Sequence, residues 1–450
     1  MNEFEVIVVG GGPAGISCSY ALGKAGVKTL IVDKKKKELI GDKVCGDALH
    51  PHNYNEVKKL TGLPLPAEGD IKEHIDFALL ETSSPDKSLK IPDKTTTVDR
   101  LSYGQTLLSA TLKLESVSLQ DKFRILEVIV EEGYVKGLRG LVDGEKVEFR
   151  AKVIVDASGA QGVIRSRLPE SMCQKFPRKT PIEEILVSYR EIIRTKEKHN
   201  YQKGIYLIYD PLMEDVMPGY YWIFSRGEKE LNVGLGYFKR EENKGKDIRK
   251  MNEEITRKYL DDYEILDGRG ASIPARLPLY SLVHNGFVTA GDAGALVNPI
   301  NGEGHGPALQ SGAFAGLQII KALENNDVSE RGLWEYNRII WKNFGVKHAM
   351  GIAIIKFIDK EHFEGFDFLI REGIISQEDV KKELGNPNAH PSGYMSKFFK
   401  LMKRPSILLN LFKTYRLQGK IQKMAKNYPD SPEEFDSWYQ KIKKLEETKF

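Results

Sequence analysis

The sequence predicts a mixed α/β fold, α+β overall, in three parts: an α/β domain with a parallel sheet, a domain built on an antiparallel sheet, and a helical C-terminal region. Three observations predict it. The chain opens with an apolar strand that enters a glycine turn and a helix. Short strands rich in Tyr, Ile and Val occur between about residues 176 and 270, and Lys-rich helical sequence follows residue 340.

Composition indicates a large globular protein. The 450 residues are 41% hydrophobic and 29% charged, which excludes a disordered or fibrous chain and indicates two or three domains. A net charge of +4 is too small to indicate a nucleic-acid partner, so we expect none.

The cysteines and the N-terminus indicate a compartment. Cys18, Cys45 and Cys173 form neither a disulfide framework nor a CxxC pair, which is typical of a reducing environment and of a chain without its own iron–sulfur centre. The first strand leaves no room for a signal peptide, and the most apolar stretch, residues 348–358, is too short to span a bilayer. We therefore expect a cytoplasmic protein without a metal site.

The N-terminal segment predicts a βαβ unit. Residues 4–9 read as a buried strand, residues 13–25 as a helix, and residues 28–33 as a second strand that ends in an acid. The turn between the first strand and the helix has the pattern GxGxxG, which is a weak motif alone and a specific one between a strand and a helix.

The glycines of this turn suit a dinucleotide. Gly10, Gly12 and Gly15 let the backbone approach a pyrophosphate, and the N-terminus of the following helix offers free N–H groups. Asp33 is placed to accept the ribose hydroxyls of the adenosine. This Rossmann-like unit fits NAD and FAD equally well.

Later segments are predicted to complete the same domain. After a helix over residues 105–110 come three short strands, and an apolar strand then ends at Asp156-Ala157-Ser158-Gly159, with Arg165 beyond it. The three short strands are predicted around residues 124–130, 134–139 and 146–150.

The domains are predicted to be a discontinuous first domain over 1–50, 99–175 and 271–340, a substrate domain over 51–98 and 176–270, and a helical domain over 341–450.

A second glycine-rich element decides which dinucleotide is bound. Residues 291–295 and 298–306 bring many glycines and the start of a helix together late in the chain. A flavin must be held at both ends, and backbone N–H groups with a helix N-terminus near its pyrimidine side stabilise the reduced anion. The two elements together favour FAD.

Five segments carry a family resemblance. Gly10-x-Gly12-x-x-Gly15, the Asp156–Gly159 segment with Arg165, and Gly291-Asp292-Ala293 with Pro299 and Gly302-x-Gly304 resemble the flavoprotein superfamily that includes p-hydroxybenzoate hydroxylase. Lys43-Val44-Cys45-Gly46-Asp47 and the aromatic segment 218–225 resemble, within it, the geranylgeranyl reductase family. The aromatic segment departs from the family in one position, since Ser225 stands where a proline is usual.

The resemblance implies an FAD-dependent reductase that saturates isolated double bonds of geranylgeranyl chains, in archaeal-type membrane lipids or in geranylgeranyl diphosphate, with a hydride from reduced flavin and a proton. It implies that Asp292 bonds a ribitol hydroxyl. The residues predicted to bind FAD are Gly10, Gly12, Pro13, Ala14, Gly15, Asp33, Lys34, Cys45, Gly46, Arg100, Asp156, Gly159, Gly291, Asp292, Pro299, Gly302, Gly304 and His305.

The predicted catalytic residues lie in three places. Tyr220, Trp222 and Phe224 alternate along one strand, where their rings either line an apolar tunnel and stabilise positive charge or form ordinary sheet core. Cys45 is a proton donor, a substrate contact or a space-filling residue. His305 either orients the flavin or takes part in acid chemistry.

The sequence offers alternatives for the proton donor and for the source of electrons. His50 and His52 are alternative proton donors, although lone histidines are more often structural. Because the chain has one dinucleotide motif and no cysteine cluster, electrons must come from outside, from a ferredoxin-like carrier or from NAD(P)H. The alternative functions are an FAD-dependent aromatic monooxygenase on the same scaffold and a non-catalytic flavin electron carrier.

The C-terminal region suggests a contact with lipid. Residues 391–427 carry nine basic side chains and no acid, interleaved with apolar residues. This pattern suits peripheral docking on an anionic membrane, where a prenyl lipid substrate resides, and it also fits a solvated helical face.

Overall fold

The computed structural model describes residues 3–81, 88–379 and 394–448. It has a mixed architecture of three sheets and many helices, as the sequence predicts. The strands, numbered in chain order, are β1 Glu3–Val9, β2 Thr29–Val32, β3 Ala48–Leu49, β4 Ile71–His74, β5 Phe77–Glu81, β6 Leu89–Pro92, β7 Thr96–Val98, β8 Val117–Gln120, β9 Arg124–Glu131, β10 Tyr134–Val142, β11 Glu145–Asp156, β12 Ile185–Thr195, β13 Gly204–Ile208, β14 Gly219–Ser225, β15 Glu230–Phe238, β16 Tyr263–Pro274, β17 Val283–His284 and β18 Phe287–Thr289.

The helices lie between these strands and continue beyond them. They are α1 Pro13–Lys24, α2 Pro51–Thr61, α3 Arg100–Leu112, α4 Ile248–Tyr259, α5 His305–Glu324, α6 Glu330–Leu333, α7 Glu335–Ile340, α8 Val346–Arg371, α9 Tyr394–Leu401, α10 Pro405–Lys426 and α11 Phe435–Glu446. A short π-helical turn, Trp341–Gly345, joins α7 to α8, and His362 interrupts α8 with a φ of 57°. Among the described residues, no helix combines the length and apolar character needed to cross a bilayer.

The first sheet holds the predicted βαβ unit. Its strands run in the order β17, β18, β11, β1, β2, β8, and β1 pairs in parallel with both β2 and β11. The sequence prediction separated strands at 146–150 and 153–156, whereas the structure has one strand, β11. This strand changes partners along its length, since its first half pairs antiparallel with β10 and its second half pairs parallel with β1.

The second sheet is the predicted antiparallel one, with an exception at one edge. Its order is β16, β12, β15, β14, β13, β5, β6, and the pairs from β16 to β13 are antiparallel. The exception is β5, which pairs in parallel with β13. Helix α4, which the sequence analysis did not predict, packs Ile255 into the apolar cluster on one face of this sheet. The opposite face carries the aromatic side chains of the site.

Aromatic side chains fasten the C-terminal helices to the first sheet. Trp341 is fully buried, donates a hydrogen bond to the Leu279 carbonyl at 3.1 Å, and lies edge-on to Trp438 of α11 at 4.7 Å. Tyr428 donates to the Tyr280 carbonyl at 2.7 Å. Large buried rings dominate packing energies, so the helical region is part of the main core.

Helices α1 and α5 pack at unusually close range. A Cβ at Gly312 of α5 would overlap the backbone carbonyl of Ala14, and a Cβ at Gly316 would lie 2.8 Å from both the Ala21 Cβ and the Cys18 carbonyl oxygen. The glycines four residues apart on α5 therefore permit this approach, which brings the N-termini of the two helices to the same side of the first sheet.

The variant Gly312→Val should separate α1 from α5, because overpacking a tight contact typically costs about 1–3 kcal/mol. We expect a lower midpoint in chemical unfolding and weaker retention of the FAD cofactor during gel filtration. The matched control is Gly419→Ala, at an exposed helical glycine of α10 where a Cβ would meet nothing. This control should be neutral or more stable, and equal loss in both variants would contradict the packing argument.

Candidate cofactor and substrate site

The ends of four strands converge at the predicted dinucleotide site. Gly10 has a φ of +104°, and a Cβ there would lie 2.5 Å from the Ala157 carbonyl oxygen, so this backbone approach requires glycine. The Asp33 carboxylate accepts the Gly11 N–H at 2.7 Å and the Lys35 N–H at 2.8 Å. The acid predicted to bind the adenosine is thereby fixed beside the glycine turn.

Two helix N-termini point into this region. In the described structure neither α1, after Gly12, nor α5, after Gly304, has a side-chain hydrogen bond that caps it. The first-turn N–H groups of an uncapped helix are available to an anion or a carbonyl oxygen, and the helix dipole favours negative charge there. A Cβ at Gly12 would meet nothing within 4 Å, so space lies open above this turn.

The glycine run before α5 lies against the first glycine turn. A Cβ at Gly291 would lie 3.0 Å from the Ala14 Cβ, and one at Gly304 would lie 3.3 Å from Asp292 Oδ1. Asp292 also accepts a hydrogen bond from Lys43 Nζ at 2.8 Å, and a Cβ at Gly159 would lie 3.8 Å from the same Nζ. The structure thus gathers segments from across the chain around one region.

Two buried polar atoms, on residues that line a small cavity, have no hydrogen-bond partner among the described residues. They are His305 Nδ1 and Tyr103 Oη, whose rings lie 5.9 Å apart. The cavity is lined by these two residues together with Gly11, Pro13 and Arg100. Unpartnered polar atoms beside two uncapped helix ends and the Asp33 carboxylate fit an FAD molecule.

Other predicted cofactor residues have different surroundings. Asp156 is fully buried, and its carboxylate accepts hydrogen bonds from Ser158 and from the N–H groups of Ile164 and Arg165 at 3.0 Å. The Asp156 carboxylate therefore fixes the conformation of the loop that follows β11. Any effect of Asp156 on the cofactor is indirect and depends on this loop. Lys34 is exposed next to Asp33, and Pro299 packs against Gly351 of α8.

His305 is neutral in the folded protein. Burial lowers the pKa of its imidazole well below the usual value, and the positive charges of Arg100 and Lys43 lower it further. A neutral imidazole suits the predicted orienting role and does not suit an acid that must be protonated at neutral pH.

The aromatic segment forms one face of β14, as predicted. The Trp222 ring lies 6.1 Å from that of Tyr220 and 6.2 Å from that of Phe224, while Tyr221 and Ile223 enter the cluster behind the sheet. Tyr220 donates a hydrogen bond to the Asn301 carbonyl in the glycine run. Burial raises the pKa of the Tyr220 hydroxyl, which stays protonated.

The Lys43–Asp47 segment lies between the glycine run before α5 and the aromatic face of β14. Lys43 reaches Asp292 beside the glycine run, and Gly46 packs on Phe224, where a Cβ would lie 2.8 Å from the ring. Cys45 is half-buried with a free thiol. The structure therefore brings the predicted cofactor residues and the predicted substrate face together through one segment.

The sequence analysis missed Asn53, Glu303 and Asn232. Asn53 of α2 donates to Glu303 Oε1 at 2.6 Å and fastens the glycine run to that helix. His50 begins α2, where its Nδ1 accepts the His52 N–H at 3.2 Å. The only local signal for the contact between Asn53 and Glu303 is the polar residue type, because the two residues are 250 positions apart.

The comparisons with known proteins agree with this geometry. Residues 3–338 match the family described as FAD binding domain. The digeranylgeranylglycerophospholipid reductase of Sulfolobus acidocaldarius is 30% identical over 98% of this chain and 96% of its own length. A second such reductase, number 3 of Methanosphaera stadtmanae, is 27% identical over 79% of this chain and 86% of its own.

Solved structures share the fold. A geranylgeranyl bacteriochlorophyll reductase-like protein of Thermoplasma acidophilum has a TM-score of 0.75 at 21% identity and covers 90% of this chain and 99% of its own. The flavin-dependent brominase Bmp2 has a TM-score of 0.66 at 18% identity, with the same coverage. At these identities the likeness concerns the fold alone.

The fold, the site and the family match define an FAD-dependent oxidoreductase. Within that class, the chain belongs to the geranylgeranyl reductase family, since it is 30% identical to one digeranylgeranylglycerophospholipid reductase over 98% of its length. The predictions of family and of FAD as the cofactor are confirmed.

Glu303→Gln should make stability less dependent on pH. Burial raises the pKa of the Glu303 carboxyl, against the hydrogen bond from Asn53 and the charges of His50 and Lys347. A raised pKa means that the folded state favours the protonated acid, so wild-type stability is lost as pH rises through that pKa. Glutamine stays neutral and keeps an oxygen for Asn53.

The thermal midpoint of both proteins is to be measured from pH 4 to pH 8. The difference in thermal midpoint, Glu303→Gln minus wild type, should increase with pH. A difference that is constant or decreases with pH would contradict a raised pKa for Glu303. Glu433→Gln, at a surface carboxyl whose pKa is lowered, is the control and should show no such rise.

Proposed function

We propose that this protein is an FAD-dependent reductase that saturates isolated double bonds of geranylgeranyl chains in archaeal-type membrane lipids or in geranylgeranyl diphosphate. The observation that carries the proposal is the 30% identity to a digeranylgeranylglycerophospholipid reductase over 98% of the chain. The aromatic face of β14, which lies beside the segments that fit FAD, supplies an apolar surface for a prenyl chain. The named relatives favour reduction over an aromatic monooxygenase or a non-catalytic electron carrier.

The roles of individual residues are part of the proposal. Bound FAD in its reduced form supplies the hydride. The uncapped start of α5 and the Gly302–Gly304 backbone would hold the negative charge of the reduced flavin, while Asp33 and the Gly10–Gly15 turn would hold the adenosine end. The other predicted cofactor residues lie on the segments that surround these two ends.

The aromatic face and Cys45 are proposed to act on the prenyl chain. An isolated alkene has no carbonyl to absorb electrons, so proton transfer leads and positive charge develops at the more substituted carbon. The rings of Trp222 and Phe224 stabilise such charge, and Tyr220 closes the face toward the glycine run. Cys45, at the edge of this face, donates the proton or contacts the chain.

The division of the chain follows the sheets. We propose a discontinuous FAD-binding domain, a substrate domain and a helical C-terminal domain with the boundaries given above. Two features support it: β1, β2, β8–β11, β17 and β18 form one sheet, and β5, β6 and β12–β16 form another. Residues 1–2 of the FAD-binding domain, 82–87 of the substrate domain, and 380–393 and 449–450 of the helical domain lie outside the described residues.

The direct test is a product analysis. Chemically reduced enzyme is incubated without oxygen with geranylgeranyl lipids, and the lipid masses are measured. We expect a gain of two hydrogens for each reduced bond. Unchanged lipid would contradict the function.

The C-terminal helices are proposed to dock on an anionic membrane that holds the substrate. Leu409 and Phe412 of α10 are 56% and 63% exposed, and Arg416 shares their helix face. On α9, Phe398 and Phe399 are also exposed. Exposed apolar side chains interleaved with basic ones are typical of an interfacial helix. The first three residues of the predicted basic stretch, 391–393, lie outside the described residues.

Replacing Leu409 and Phe412 together by serine should weaken binding to phosphatidylglycerol vesicles about thirtyfold, since each apolar side chain contributes on the order of 1 kcal/mol when it leaves water and about 1.4 kcal/mol is a factor of ten. Vesicle co-sedimentation measures the effect. The control is Ile182→Ser with Leu212→Ser, two side chains that are 54% and 42% exposed elsewhere. Equal binding by both double variants would count against this surface.

The physiological electron donor is proposed to be an external ferredoxin-like carrier or NAD(P)H. The described structure has one dinucleotide-binding unit, and the sequence has no cysteine cluster. Anaerobic mixing of the oxidised enzyme with each donor, followed by the loss of flavin absorbance, distinguishes the two.

A further inference from the structure

Small residues on β15 make room for the aromatic side chains of β14. In the register of the two strands, Gly236 lies opposite Tyr220, Gly234 opposite Trp222, and Asn232 opposite Phe224. A Cβ at Gly234 would lie 2.5 Å from the Trp222 ring, so the indole lies across the backbone of β15. Asn232 is the polar side chain in this row.

Asn232 uses both ends of its amide. It is fully buried, and its Oδ1 accepts a hydrogen bond from Trp222 Nε1 at 2.9 Å. Its Nδ2 donates to the Cys45 carbonyl oxygen at 2.8 Å and to Asp47 Oδ2 at 2.9 Å. One side chain therefore joins the indole to the segment that carries the thiol.

The Cys45 segment has an unusual conformation that these bonds support. Asp47 has a φ of 67°, which is uncommon for a residue with a side chain, and it is buried. Its carboxylate forms a buried ion pair with Arg226, whose second guanidinium nitrogen lies 3.7 Å from Asp99 at the start of α3. A strained conformation persists only where its surroundings determine it, and Asn232 provides two of these constraints.

We propose that Asn232 is a positioning residue that sets the distance between Cys45 and the indole of Trp222. This inference rests on the proposed function, because it assigns these two groups to the prenyl chain. The amide holds the Cys45 backbone over the aromatic face and holds the indole at a fixed rotation. Without it, the Cys45 carbonyl and the buried Trp222 N–H each lose this partner, which drives the segment to rearrange toward water.

The test uses the full-length, FAD-loaded protein and measures the rate at which iodoacetamide alkylates Cys45, followed by peptide mass spectrometry. In Asn232→Ala we expect this rate to rise about tenfold, because the Cys45 segment loses the two hydrogen bonds that the amide donates to it. Alkylation of Cys173, which is half-buried elsewhere, should not change. With geranylgeranyl lipid, kcat should fall more than KM changes.

Asn252→Ala is the matched control. Asn252 is also fully buried and donates to Glu191 at 3.2 Å, but it lies on α4, behind the opposite face of the same sheet. Its replacement should lower thermal stability without altering the Cys45 rate. Asn232→Ser, which keeps a polar group in less volume, serves if the alanine variant does not fold, and it should show the same rise.

The outcomes separate the inference from the function on which it rests. A Cys45 rate that is unchanged in both Asn232 variants, or raised equally in Asn252→Ala, overturns the positioning role. The alkylation rate needs no substrate, so a protein that reduced no prenyl chain would refute the proposed function and leave the effect of Asn232 on Cys45 measurable by itself.

Discussion

The close packing of α1 on α5 is the constraint on which the site depends. Each helix begins at a glycine turn, and the absence of side chains at Gly312 and Gly316 allows their axes to approach. The two uncapped N-termini therefore open on the same side of the first sheet. In the proposed arrangement one end holds the pyrophosphate and the other the flavin ring, so a change in their separation would misplace the cofactor as a whole.

A short segment connects this candidate cofactor site to the second sheet. Asp42 is held by both terminal nitrogens of Arg269 on β16 at 2.8 Å, Lys43 reaches Asp292, and Asp47 pairs with Arg226 after β14. Three consecutive anchors on different elements leave the segment little freedom. The thiol of Cys45, between the second and third anchors, is thus placed by both halves of the molecule.

The sequence predicted those features that are local. The βαβ unit, the glycine run before α5 and the alternation of aromatic residues on β14 follow from patterns within about 30 residues, where propensity and spacing act directly. The length of β11 was not predictable in the same way, because its continuity comes from a change of partner strand. The role of Asn232 was also missed, since its partner Cys45 is 187 residues away and no pattern links them. Helix α4 escaped prediction because the strand-rich segments on both sides dominated that region.

The central claim is that reduced flavin in this protein passes its electrons to a prenyl double bond. A rapid-mixing experiment tests it most directly: enzyme reduced chemically in the absence of oxygen is mixed with geranylgeranyl lipid, and flavin absorbance is followed. The account predicts that the flavin is reoxidised with one equivalent of double bond saturated for each flavin. A flavin that stays reduced with the lipid and is reoxidised only when oxygen is admitted would contradict it.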